Sequence, residues 1–160
     1  MQTRSQGFTL VELLVVIGIV GILLAITLVA INPARQFKQA NNAKRTADVN
    51  AILNAVTQLK VDGKGALPTG AVIPATATNF ASGTGATADG LEALCSAMVP
   101  TYIAALPTDP TATGAIFTDC TTFDLGYNIS VDANGLRVTV QAPNAEAPDG
   151  ATPPVIAVSR

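Results

Sequence analysis

A run of 24 residues with a single charge constrains this chain more than any other feature. Positions 8–31 read "FTLVELLVVIGIVGILLAITLVAI", and Glu12 is the only ionisable side chain among them. At about 1.5 Å per residue, a helix of that length extends about 36 Å. A hydrocarbon core is about 30 Å thick, so the run is long enough to span a bilayer with some tilt. A secretory signal has a shorter apolar core, about 7–15 residues, and then a small-residue cleavage site. Here the run is longer, Leu28 spoils the site that would end at Ala30, and Glu12 interrupts the core. The residues that follow form a small domain, rich in Ala, Thr, Gly and Pro and poor in aromatics, which buries a modest core and needs help to stay folded.

Charge and composition exclude several classes of function. The net charge is −2, which offers no basic footprint for nucleic acid. There is no His, so the commonest metal ligand and general base is missing. No Ser/His/Asp set, phosphate-binding glycine loop or metal-ligand spacing is present, so the reading is non-enzymatic, with no metal and no cofactor. Cys95 and Cys120 both lie beyond the apolar run, and two cysteines in a small exported domain read as a disulfide. Asp109, Asp119, Asp124 and Asp132 raise the question of calcium. However, "DANG" lacks the ligand series of an EF-hand loop, and aspartate is favoured in turns for its own hydrogen bonds, so turn roles are expected. "NIS" at Asn128 has the spacing of a glycosylation sequon. It falls on an expected strand and reads as coincidence.

The stretch "QGFTLVELLVVIGIVGILLAI" resembles the N-terminus of type IV pilins and of the related pseudopilins of type II secretion. Members of that family carry a short polar leader ending in Gly. A prepilin peptidase cuts after it, the new N-terminal residue, usually Phe, is N-methylated, and a Glu lies four residues further on. The resemblance implies a leader at residues 1–7, cleavage between Gly7 and Phe8, N-methylation of Phe8, and Glu12 as the assembly residue. In the family reading, Glu12 of one subunit meets the Phe8 amine of a neighbour, in a poorly hydrated place where opposite charges attract more strongly than in water. The residues alone leave two local arrangements open. Phe8 and Glu12 are four apart and can pair within one helix, or Glu12 can serve the helix dipole.

The implied partners are the peptidase, the pilus assembly platform, the membrane before assembly, and further copies of the chain in a helical filament; no nucleic acid is implied. The implied locations are the cytoplasmic membrane for the precursor and the cell surface for the filament. A pseudopilin of a secretion or DNA-uptake machine is the alternative within the family. An uncleaved, single-pass membrane-anchored binding protein is the alternative outside it. A simple count of flanking cations, Arg4 and the Met1 amine against Arg35, Lys38, Lys44 and Arg45, would place the wrong end in the cytoplasm. The peptidase requires a cytoplasmic leader, and a disulfide requires the distal domain outside.

Beyond the apolar run, Pro33 disfavours helix at Asn32 and implies a kink or a locally unwound stretch. Val49, Ile52, Leu53, Val56 and Leu59 then form one apolar stripe at helical spacing, and Gly63 and Gly65 supply a stop. The basic residues at 35–45 read as a solvated face. Gly18, Gly21 and Ala25 make one side of the apolar helix small, which favours close helix packing. Positions 66–90 read as a long loop. Asp89 and Glu92 have capping-box spacing and are expected to open a short helix, with Leu91, Leu94, Cys95 and Met98 on its apolar side. "LPTDP" is a rigid turn. Ile129 and Val131 before Asn134-Gly135, with Leu136, Val138 and Val140 after it, predict a hairpin, and "VIAVSR" a third strand. The expected fold is α+β, a long N-terminal helix packed on a small antiparallel sheet. Its segments are a leader (1–7), a membrane and assembly half of the helix (8–31), an amphipathic half (32–62) and a globular head (63–160).

Overall fold

The computed structural model describes residues 7–160; of the leader expected at 1–7, residues 1–6 lie outside the described residues. Two helices open the chain, α1 (Leu10–Ile31) and α2 (Pro33–Asp62). A single residue separates them. Asn32 adopts a left-handed conformation (φ 46°, ψ 76°) as it closes α1. Its Oδ1 and its carbonyl both accept from the Arg35 N–H. Asn tolerates the left-handed region and is a strong N-cap, while Pro33 takes the first helical position, where its missing N–H costs nothing. The interruption expected at Pro33 is thus one residue wide.

By internal contacts the chain divides into two compact units between Phe37 and Lys38. The second unit contains β1 (Thr78–Ala81), α3 (Ala86–Met98), β2 (Ile116–Asp119), β3 (Thr122–Val131), β4 (Val138–Ala142) and β5 (Ile156–Ser159). The five strands form one antiparallel sheet in the order β1-β3-β4-β5, with β2 also paired to β3. Asp124 faces Ala81 on one side and Ile116 on the other, so the long strand β3 has β1 along one edge and β2 followed by β4 along the other. Its buried residues alternate strictly, Phe123, Leu125, Tyr127 and Ile129, as expected for a sheet with one covered face. They join Val49, Ile52, Leu53 and Val56 of α2 and Leu91, Leu94 and Met98 of α3 in one core. The architecture is α+β, as expected, with the stripe on α2 facing the core.

Several local expectations are corrected. The loop expected at 66–90 contains β1, whose Phe80 is fully buried, and the first residues of α3. That helix starts a turn earlier than the Asp89–Glu92 spacing suggests. Its N-cap is Gly85, with no side-chain cap, and the Asp89 N–H already bonds the Gly85 carbonyl. Ala86, Thr87 and Ala88 continue the helix upstream, and Glu92 reaches back to the Gly83 N–H instead. The hairpin after β3 closes through a wider turn than an Asn-Gly pair alone provides. Asp132 Oδ1 accepts from the N–H groups of Leu136 and Arg137, and only Gly135 takes positive φ there. Val131 therefore pairs with Val138, and Leu136 lies in the turn, 75% exposed rather than on a strand.

Candidate functional site at the N-terminal segment

Gly7 has open space around it: a Cβ built there meets nothing within 4 Å. Phe8 follows, largely exposed, and then the first turn of α1 closes around Thr9. Thr9 is the N-cap, with extended backbone (φ −77°, ψ 152°). Its Oγ1 accepts from the Glu12 N–H at 3.2 Å, while Glu12 Oε2 accepts from the Thr9 N–H at 2.9 Å and from the Thr9 hydroxyl at 2.8 Å. This is a capping box, which satisfies orphan donors of the first turn reciprocally. Phe8 and Leu13 occupy the positions of a hydrophobic staple, flanking the box, and line one shallow apolar groove.

The arrangement refines the two local readings of Glu12. Phe8 precedes the N-cap, so it is not one helical turn from Glu12 and the spacing argument for pairing within one helix does not apply. The carboxylate sits at the third helical position, where the dipole favours an anion, and Thr9 holds it there. Thr9 is the residue that sequence reasoning missed, although T-x-x-E at 9–12 carries the capping signature in full. No residue of α1 is buried, and Gly18 and Gly21 are open on their small side.

The basic segment of α2 departs furthest from expectation. Arg45 is fully buried rather than solvated. Its Nε and Nη2 donate to the two carboxylate oxygens of Asp109 at 2.8 and 3.1 Å. Nη1 reaches Asn42 Oδ1 and Glu146 Oε2, and Nη2 also meets the Thr111 hydroxyl. Burial works against the guanidinium charge, but the bonds from Asp109 and Glu146 outweigh it and hold the proton more firmly than usual. Burial likewise opposes ionisation of Asp109, and Arg45 together with the Thr111 and Ala112 N–H groups pulls its carboxyl below the ordinary range. Nearby, the Tyr127 hydroxyl donates to Asp48, and burial first, then Asp48, pushes its ionisation upward. Lys44 bonds Asp48 and the Thr108 carbonyl, and Lys38 the Ala147 carbonyl. One signal for Arg45 was present: it stands one turn before Val49, on the apolar stripe itself.

Cys95 of α3 and Cys120, in the turn between β2 and β3, form a disulfide. The four aspartates considered for calcium are held apart. Asp109 faces Arg45, Asp119 accepts from Thr121 and Thr122, Asp124 from Asn79 and Gly126, and Asp132 from the hairpin turn. Among the described residues no three acidic, Cys or His side chains gather as a metal site.

Residues 2–28 match the prokaryotic N-terminal methylation motif. No curated protein and no solved structure matches the chain. The motif is the recognition segment of prepilin processing, and its span takes in Gly7, Phe8, the Thr9–Glu12 box and most of α1. Residues 2–28 thus carry the N-terminal signature of type IV pilin-like prepilins, a class III signal segment, ahead of an α+β head.

Proposed function

We propose that the chain is cut after Gly7, N-methylated at Phe8 and polymerised through α1 into a type IV filament that carries the head outward. The observation behind this reading is the methylation motif at residues 2–28, set on a 22-residue apolar helix that buries none of its residues. Such a surface needs a hydrocarbon environment, which a bilayer provides before assembly and neighbouring copies of α1 provide afterwards. Cleavage creates an amine at Phe8 that is cationic near neutral pH. In the filament, Glu12 exchanges its bonds to Thr9 for the amine of a neighbouring subunit, or shares its second oxygen with it.

Two measurements test this reading. Mass spectrometry of the membrane-extracted protein should find a chain beginning at N-methylated Phe8; an intact Met1 terminus would return the chain to an uncleaved membrane anchor. Electron microscopy of cells expressing only Glu12→Ala should then show processed subunits in the membrane and few or disordered filaments. Wild-type filament length and abundance from that variant would reject the intersubunit pairing.

A further inference from the structure

The head carries an open cleft of about 480 Å³ that filament assembly through α1 does not use. Its floor is β3, at Asp124, Gly126 and Asn128. One wall is the turn at 111–113, and the other is the segment 143–145 after β4. Asn79 of β1 closes the end.

Both walls are fixed from behind by the buried guanidinium. Arg45 holds Asp109 and Thr111 on one side and Glu146 on the other, and the Glu146 N–H and carbonyl are bonded to Asn42 as well. Gly126 lets the first wall approach closely. A Cβ there would stand 2.8 Å from Ala112 Cβ and 3.0 Å from Asp109 Cβ. A binding surface set in advance loses little entropy when it is occupied.

The lining decides what can be bound. Asp124 Oδ1 accepts from Asn79 Nδ2 and from the Gly126 N–H, each at 2.9 Å, and its Oδ2 makes no hydrogen bond to other described residues, while the residue lines the cleft. Asn128, Asn144 and Thr113 line the same space, and their side chains make no hydrogen bond to other described residues. An amide supplies two donors and an acceptor, a hydroxyl one donor with acceptor capacity, and a carboxylate acceptors alone. Groups of this kind, spread around one cleft, suit a ligand that is polar over most of its surface. The unpaired oxygen of Asp124 repels phosphates and carboxylates, and the nearest guanidinium is spent on Asp109 and Glu146. A single carboxylate, half occupied already, is a poor cage for a hard cation, which wants six or more oxygens. Pro143 and Ala145 offer a small apolar face beside the polar groups, matching the C–H face of a sugar ring. From this we infer that the cleft binds a neutral oligosaccharide through its hydroxyl groups.

The test uses the full-length protein in detergent micelles and saturation-transfer NMR. The probes are maltotriose and chitotriose, with 3′-sialyllactose as the anionic comparison and calcium chloride as the cation. Magnetisation should pass to at least one neutral trisaccharide and not to the sialylated one. Asn128→Ala and Asn144→Ala remove side chains that bond nothing else in the head, so the unfolding midpoint should hold. Each should weaken the sugar about fivefold, the loss of roughly one hydrogen bond. If either variant shifts the midpoint, Thr113→Val provides the same comparison. Absence of transfer to both neutral sugars overturns the inference, as does undiminished binding in the variants. So does a response of the Asp124 and Gly126 resonances to calcium alone.

Discussion

Arg45 and Asp109 are 64 residues apart in sequence and meet with no exposure of either side chain. A buried pair of this kind is expensive to break from one side, because the remaining charge stays desolvated, at about 3–5 kcal/mol. Asp109→Ala should therefore lower the unfolding free energy of the detergent-solubilised chain by about that amount. Lys44→Ala, which removes a more exposed partner of Asp48, should change it little, since exposed pairs contribute little. Equal effects in denaturant titrations would show that the Arg45 pair carries no special weight. The direction with pH follows from the lowered Asp109 carboxyl. Its stabilising contribution is complete above the unfolded value, near 4, and is lost as pH falls through the lower folded value. The wild-type chain should lose stability on acidification more steeply than Asp109→Asn. At Gly7 the surroundings are empty, so Gly7→Val strains nothing in the folded chain. If that variant accumulates as a full-length precursor on a gel, the fault lies in processing; normal shortening would count against the junction at Gly7–Phe8.

Among the elements, legibility followed locality. The apolar helix, the stripe on α2 and the β3–β4 hairpin each declare themselves within about twenty residues, because periodicity and turn chemistry are local. β1 and β2 are four residues long and each owes its place to β3, so no period within them announces a strand. Capping signatures proved two-sided. Thr9–Glu12 forms the box that its spacing describes, whereas Asp89–Glu92, with the same spacing, lies inside a helix that Ala86 to Ala88 extend upstream. Spacing alone does not say which residue stands outside the helix. Arg45 was legible only in part: its place on the apolar stripe hinted at burial, but its carboxylate partners come from two later loops, and without them it looks like an edge of the solvated face. The break between α1 and α2 rests on one side chain able to hold a left-handed backbone. Asn32→Val should cost about 1–2 kcal/mol in that conformation, and Asn32→Gly should not; matching thermal midpoints for the two would show that Asn32 leaves the left-handed region readily.

For the whole molecule, the disulfide joins α3 to the sheet across 25 positions, and in the chain-entropy view a loop of that size is worth about 3 kcal/mol to a small head. Cys95→Ser with Cys120→Ser should lower the unfolding free energy by that order, and an unchanged denaturation curve would make the bond incidental. The same link has a mechanical side. If the proposed filament forms and is pulled, a head that gives way under traction would pay out chain until something covalent stops it. At about 3.4 Å per extended residue, the stretch between the two sulfurs holds back about 85 Å of contour. Optical-trap extension of single molecules should lengthen by that amount once reductant is added. The cross-link is then a governor on how far each head can stretch, so a filament of the proposed kind would yield by a short give in place of a long slackening.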